Sequence, residues 1–345
     1  MTDKSEKIIV GISIGDLNGI GIEVILKTFE DKRMLEFCTP VLFGSTKVVS
    51  YHKKAIGSTV SIHGITSIQQ VVHNKINLLN IWKEEASVEL GKPTKISGEY
   101  AAKSLESAVN HLKENKIDVL VTAPINKETI QSDSFNFPGH TEYLQEKLNG
   151  ESLMILMTDT LRIGLITGHI PVSKIAETIT SELIEKKIAI MHRSLVEDFA
   201  INKPKIAVLS LNPHCGDKGV IGKEDDEIIR PTIQKIKETG KMVFGPYASD
   251  GFFGSETYQQ FDGVLAMYHD QGLAPFKALS FGNGVNFTAG LDKIRTSPDH
   301  GTGFDIAGKG VANSTSFKEA LFASLQIFKT RKEYKELTKN PLRVK

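Results

Sequence analysis

The chain has 345 residues, 40% hydrophobic and 24% charged, an ordinary composition for a soluble globular protein and a length too great for one small core. Its 42 basic and 41 acidic residues give a formal net charge of +1, which excludes wholesale attraction to nucleic acid or an anionic membrane but leaves room for a local site that takes a small anion. Two cysteines, Cys38 and Cys215, cannot build a disulfide framework, no apolar stretch nears the ~20 residues that span a bilayer, and MTDKSEKIIVGISIG lacks a signal peptide's apolar core, so a reducing cytoplasm is the expected setting.

Strand-like apolar runs alternate with amphipathic helical segments. KIIVGISIG reads as a strand entering a Gly-rich turn, IGIEVILKTFED as a helix and PVLFG as a second strand. SGEYAAKSLESAVNHLKEN places Ala101, Leu105, Ala108, Val109 and Leu112 at helical spacing; the strand IDVLVTA and the Pro-started turn PINKETI follow. SLMILMTDTLRIGLIT predicts an antiparallel hairpin turning at Asp159-Thr160. Helices are expected from Pro171 to about Ala200, and KIAVLSL, KMVFG and GVLAM as further strands. KEDDEIIRPTIQKIKETG is expected as a helix that Pro231 bends or splits. The Gly-rich stretch from Gly282 to Asn313 reads as loop-rich and functional. Such alternation predicts α/β architecture with a largely parallel sheet. Gly and Pro clusters near Phe135–Gly139 and Gly282–Gly284 divide it into one domain of 1–135 plus 284–345 and another of 136–283.

Three apolar runs end in a histidine: LRIGLITGH in His169, IAVLSLNPH in His214 and VLAMYH in His269. Ligands bind at the carboxyl ends of strands in open α/β sheets. Three imidazoles hold a cation with one position open, where a substrate hydroxyl is acidified and the resulting carbonyl polarised. The bland alternative is three separate surface or hydrogen-bonded histidines, and spacing alone leaves both readings open.

GDLNGIGIEV matches neither GxGxxG nor GxxxxGK[ST]; its glycines serve either an anion at a helix start or a tight strand-to-helix turn. In FPGHTEYL, Thr141 reads first as an N-cap, with His140 as a possible anion contact backed by the helix dipole. Lys277 and Arg295 suit phosphate or carboxylate, against the alternative of solvated charges. Asn286, Asp299, His300, Asp305 and Lys309 add polar groups to the Gly-rich stretch. Asp250 in GPYASDGFF is a general base or a turn residue, and Asp270 handles a proton or orients His269. His52, His63, His73, His111 and His192 have no clustered partners and read as surface or core residues.

TAPINKE, FPGHTEYL, LNPHCGDKGVIGKED, GPYASDGFF, AMYHDQGLAPFK, GVNFTAGL and IRTSPDHGT together resemble the 4-hydroxythreonine-4-phosphate dehydrogenase family of vitamin B6 synthesis, from Val10 to about Asn313. HGTGFDIAGKGVAN is also similar to the cofactor loop of isopropylmalate and isocitrate dehydrogenases, which bind nicotinamide cofactors on a non-Rossmann fold. The resemblance implies two α/β/α domains of isocitrate/isopropylmalate dehydrogenase-like fold, an inter-domain cleft and a homodimer with shared active sites. It implies that His169, His214 and His269 bind Zn²⁺, Mg²⁺ or Co²⁺ and that His140, Thr141, Lys277, Asn286 and Arg295 bind substrate. His300, Gly301, Asp305 and Asn313 are the expected contacts to NAD or NADP, and Lys277, Asp250 and Asp270 the catalytic candidates.

The implied reaction oxidises C3 of 4-phosphooxy-L-threonine with NAD⁺, and decarboxylation gives 3-amino-2-oxopropyl phosphate. A sister activity on 4-phospho-D-threonate or 4-phospho-D-erythronate is the closest alternative, and a metal-dependent phosphohydrolase the remote one. One departure stands out: the family opening GDPAGIGPE is here GDLNGIGIE, with Leu17, Asn18 and Ile22 in place of Pro, Ala and Pro. The glycines and Glu23 remain, so the turn is expected to persist.

Overall fold

The computed structural model describes residues 7–132 and 135–340. Twelve strands form among them: β1 Ile9–Ser13, β2 Thr39–Gly44, β3 Ile62–Ile65, β4 Ile76–Asn80, β5 Val119–Thr122, β6 Gly150–Met157, β7 Arg162–Leu165, β8 Ile206–Leu209, β9 Val243–Tyr247, β10 Gly263–Ala266, β11 Val285–Leu291 and β12 Arg295–Pro298. The chain divides into two compact units, Met1–Asn149 with Asp292–Phe328, and Gly150–Leu291 with Lys329–Lys345.

In the first unit six parallel strands run in the order β3-β4-β2-β1-β5-β12. The central strands are apolar on both faces, as a covered parallel sheet requires: Val10, Ile12, Val41, Phe43, Val119 and Val121 are all fully buried. The helix Lys95–Lys113 starts at a Thr94/Ser97 capping box and buries the five apolar residues that its spacing singled out. At about 1.5–3 kcal/mol for each large apolar side chain, that stripe is what fastens the helix to the sheet. The segment 135–147 belongs to this unit, beyond the boundary expected at 135/136. Phe135, Phe137 and Tyr143 hold it as an aromatic cluster with ring centres 5.0–5.5 Å apart.

In the second unit the order is β11-β6-β7-β10-β8-β9. The expected hairpin is present, with β6 antiparallel to β7; β6 is also antiparallel to β11, while β7, β10, β8 and β9 are mutually parallel. Leu156, Ile163, Leu165, Ala207, Leu209, Val264, Ala266, Phe252 and Phe276 form one core on this sheet. Helices Ile175–Thr178 and Ser181–Glu197 follow β7 as expected. Pro231 does split its helix: a π-helical turn, Asp225–Ile229, precedes the regular helix Arg230–Glu238, because proline cannot donate the backbone bond that continuous α-helix needs.

Most of the stretch from Gly282 to Asn313 is loop, as expected, but two strands interrupt it. These are β11 and β12, whose residues are mostly buried. VNFTAGL alternates well enough to pair with β6, and its polar Asn and Thr disguised that pattern.

Candidate active site

β7, β10 and β8 are parallel neighbours, so the segments that leave their carboxyl ends emerge along one edge of the second unit. These segments carry His169, His269 and His214. The pairing of β7 with β10 continues past the strands: the N–H groups of Ile166 and Thr167 donate to the carbonyls of Ala266 and Met267 at 2.9 and 3.1 Å, and the Thr167 hydroxyl donates to the Met267 carbonyl at 2.7 Å. This brings His169 and His269 together, with ring centres 5.3 Å apart and planes inclined by 44°.

Two imidazoles on one cation, with metal–nitrogen bonds of about 2 Å, hold their ring centres roughly 5–6 Å apart, and this pair meets that spacing. Nδ1 of His269 lies 2.7 Å from a carboxylate oxygen of Asp270. A carboxylate on Nδ1 makes that nitrogen the donor and leaves Nε2 as the ligand atom, the usual support of a metal-binding histidine. The pair supplies two nitrogen donors of the kind a divalent cation takes. Among the described residues no three His, Cys, Asp or Glu side chains of one chain form such a group.

His214 begins a left-handed turn in which His214, Cys215, Gly216, Asp217 and Lys218 all have φ between 44° and 77°. Left-handed backbone costs roughly 1–2 kcal/mol at a non-glycine residue, so something must hold this one. Fully buried Asp225 does so: its carboxylate accepts from the N–H groups of Leu211 and Asn212 at 2.9 and 3.0 Å and from Asn212 Nδ2 at 3.0 Å. Gln271 is a second organiser. Its Oε1 accepts from the Met267 N–H, and its Nε2 donates to the Ser210 carbonyl and the Ser249 hydroxyl, at 2.6, 2.6 and 2.8 Å. Neither Asp225 nor Gln271 stood out in sequence, because KEDDE resembles a solvated helix start. Lys277 is exposed on the helix His269–Ser280, and Asp250 is exposed in the first turn of the helix Ser249–Gly254. Asn286 lies in β11, with its Oδ1 buried and unbonded.

The first unit holds the other expected anion contacts. Arg295 opens β12 and is only 2% exposed; its Nε and one terminal nitrogen donate to the Thr122 hydroxyl at 3.0 and 2.6 Å. Burial pulls its guanidinium down to about 9, partly countered by the Glu142 charge, so it remains a cation at neutral pH. His140 starts the helix His140–Lys147. Burial first, and then the Arg295 and Lys127 charges, hold its imidazole well below its ordinary value of 6.5. Its Nε2 is sealed from solvent without a hydrogen-bond partner. Thr141 is buried in the first turn and does not cap it; the cap position is Gly139, with no side-chain bond. A buried cation beside a neutral imidazole with an unsatisfied nitrogen, at a helix N-terminus, is suited to phosphate or carboxylate.

His140 carries a pH prediction. The folded chain keeps it neutral while the unfolded chain takes up a proton near 6.5, so its effect is absent above that pH and destabilising below it. Urea melts at pH 7.5 and 5.0 are expected to show wild type losing more stability than His140→Asn, by up to about 1.4 kcal/mol per pH unit. An equal loss in both proteins would show that the ring is solvated.

The loop 300–313 is held by the first helix, Gly21–Thr28. The Ile20 N–H donates to the Thr302 carbonyl at 2.8 Å, and fully buried Glu23 accepts from the Ala312 N–H at 2.8 Å. Lys27 donates to the Gly310 and Ala312 carbonyls at 2.8 Å each. Within the loop, His300 has a buried, unbonded Nε2, an orphan donor or acceptor that fits a bound polar ligand. Gly301 and Asp305 are exposed, while Asn313 caps the helix Thr315–Thr338 through the Thr315 N–H and hydroxyl, at 2.8 and 2.7 Å. Leu17, Asn18 and Ile22, the departures in the opening motif, are all fully buried and the turn persists, with Gly15 at φ +71°.

Residues 36–324 match the family model described as pyridoxal phosphate biosynthetic protein PdxA. A relative in Bacteroides thetaiotaomicron, named 4-hydroxythreonine-4-phosphate dehydrogenase, is 52% identical over 342 residues, covering 99% of this chain and 94% of its own. A protein of Cupriavidus necator named D-threonate 4-phosphate dehydrogenase is 36% identical, over 91% of this chain and 95% of its own. The crystal structure of 4-hydroxythreonine-4-phosphate dehydrogenase from Klebsiella pneumoniae superposes with a TM-score of 0.80 at 30% identity, over 94% of this chain and 99% of that one. Isocitrate dehydrogenase from Methylococcus capsulatus, at 13% identity and a TM-score of 0.50 over 96% and 89%, shares the fold.

Proposed function

This chain belongs to the pyridoxal phosphate biosynthetic protein PdxA family, and from that premise we propose that it is a 4-hydroxythreonine-4-phosphate dehydrogenase using a nicotinamide cofactor and a divalent cation. The substrate is 4-phosphooxy-L-threonine. Hydride leaves C3 for NAD(P)⁺ and the hydroxyl proton is released. The β-keto acid then loses CO₂, and protonation of the carbon left behind gives 3-amino-2-oxopropyl phosphate. The observation that carries this reading is the His169–His269 pair with Asp270 behind it.

His169, His269 and His214 hold the cation, Zn²⁺, Mg²⁺ or Co²⁺, which when bound acts as a Lewis acid toward the substrate's oxygen atoms. Only two of these rings meet within one chain, so we assign His214 of a second copy as the third donor, in a homodimer with shared sites. Arg295, His140 and Thr141 bind one anionic end of the substrate, and Lys277 and Asn286 the other polar groups. Binding energy gathered at these groups aligns C3 for hydride transfer. Lys277 or Asp250 takes the hydroxyl proton, and Asp270 fixes the His269 tautomer. His300, Gly301 and Asp305 face the dinucleotide, with Asn313 closing the loop. A cytoplasmic setting fits two free cysteines, and no described helix is long and apolar enough to cross a membrane.

The 36%-identical D-threonate 4-phosphate dehydrogenase supports a second reading, oxidation of 4-phospho-D-threonate or 4-phospho-D-erythronate. The deciding experiment is a steady-state screen of these three substrates with NAD⁺ and NADP⁺, with and without chelator. NADH formed fastest from 4-phosphooxy-L-threonine, and abolished by chelator, supports the first reading; phosphate release without NAD(P)H sinks both. Separately, Asp270→Ala is expected to weaken divalent-cation affinity by about 10–100-fold in a competitive chelator titration. Unchanged affinity would remove Asp270 from the site.

A further inference from the structure

Asn18 touches none of the groups assigned above, yet it is fully buried and nearly all its hydrogen-bonding capacity is used. Its Oδ1 accepts from the Glu89 N–H at 2.8 Å. Its Nδ2 donates to the Lys92 carbonyl at 2.8 Å and the Thr94 hydroxyl at 3.1 Å. Its own carbonyl accepts from the Gly91 N–H at 2.9 Å, and its N–H donates to Asp16 at 2.9 Å. One residue of the first strand-to-helix turn thus grips four points on residues 89–94. These points end a strap, 81–94, that has no helix or strand of its own. An irregular segment has no ladder to satisfy its backbone, so such anchors decide where it lies.

The strap lies directly on the loop 300–313. A Cβ added at Gly91 would come within 2.8 Å of the Phe304 carbonyl, and one added at Gly308 within 2.4 Å of Leu90 Cδ1. Beside it, Gly19 leaves no room for a Cβ, which would stand 2.7 Å from the Thr302 carbonyl. The loop is therefore gripped by the turn that contains Asn18 and, through the strap, by the Asn18 side chain.

We propose that Asn18 is a positioning residue for dinucleotide binding: by holding residues 89–94 against 304–308 it sets the conformation of the loop that receives the cofactor, without contacting the cofactor. This rests on the reading of 300–313 as the cofactor loop. Without the Asn18 amide, the backbone groups of Glu89 and Lys92 lose their partners and turn to water, and the strap lifts from the loop.

The chain carries its own probe. Its single tryptophan, Trp82, lies in the strap, buried against Tyr100 with ring centres 4.7 Å apart. Wild type, Asn18→Ala and Leu90→Ala, all full-length, are titrated with NAD⁺ and NADP⁺ by calorimetry, while Trp82 emission and its quenching by acrylamide are followed. Asn18→Ala is expected to raise the dinucleotide dissociation constant roughly 5–30-fold and to expose Trp82 to quencher. Leu90→Ala, which keeps every polar anchor and removes only the packing on Gly308, is expected to shift it in the same direction. At saturating dinucleotide, kcat and the KM for phosphorylated substrate should change less than about twofold.

Unchanged dinucleotide affinity in Asn18→Ala, or in Leu90→Ala should the first variant not fold, overturns the proposal. So does an equal loss of dinucleotide and substrate affinity, which is what general loosening would produce. A wild type that binds neither dinucleotide instead defeats the cofactor-loop reading on which the proposal stands.

Discussion

His269→Ala is expected to lose at least about 10³-fold in kcat/KM and its tight divalent-cation binding, because a metal supplies several kcal/mol of charge stabilisation in such a reaction. His169→Ala should match it, since the two rings face each other at 5.3 Å. Residual turnover near wild type after chelation in either variant would remove the metal from the reaction. His214 gives the sharper test, because it joins no group of three within the described chain. If it serves the partner's pair, His214→Ala and His269→Ala are each inactive, but a mixture of the two should recover about a quarter of wild-type activity. Half of the randomly mixed dimers are mixed, and each of those has one intact site of two. No recovery on mixing means that all three ligands come from one chain, or that the histidines do not share a cation.

Arg295→Met is expected to reduce kcat/KM for the phosphorylated substrate by about 10²–10⁴-fold. Each charge-assisted hydrogen bond to an anion contributes roughly 1.5–3 kcal/mol, and a guanidinium makes two in parallel. Arg295→Lys should recover only a small part, because an ammonium cannot reproduce the planar fork. Stability separates binding from architecture. The guanidinium is 2% exposed and is pulled down to about 9 by burial, so the folded chain keeps it charged at a solvation cost. Methionine removes that cost and fills similar volume. The melting temperature is therefore expected to move by less than about 4 °C. A collapse in melting temperature with substrate affinity intact would make Arg295 a structural residue and empty the anion site.

Much of the fold is legible in the sequence. The apolar runs became β1, β2, β5, β8, β9 and β10, the helix 95–113 buried its predicted stripe, and β6 and β7 formed the expected hairpin. Within the loop-rich Gly282–Asn313 stretch the strands β11 and β12 were not legible, because Asn286 and Thr288 in β11 interrupt an otherwise strand-like pattern and glycines crowd both ends. Thr141 misled in another way: a threonine ahead of an apolar turn looks like a cap, but the chain enters the helix two residues earlier, through Gly139.

The sequence by itself determined which side chains stand where strands end, since the period and length of an apolar run mark its terminus and the next polar residues fall at the sheet edge. That sufficed to single out His169, His214 and His269, and the motifs singled out His140 and Arg295. Only the tertiary structure decided which of them meet. Neighbouring strands are chosen by the burial of whole faces, and no local pattern records that β7 lies beside β10 or that β12 lies beside β5. Hence the 5.3 Å approach of two rings a hundred residues apart, the sealing of Arg295 under Thr122, and the grip of Asn18 on a distant strap all depend on packing across the sheet and its connections.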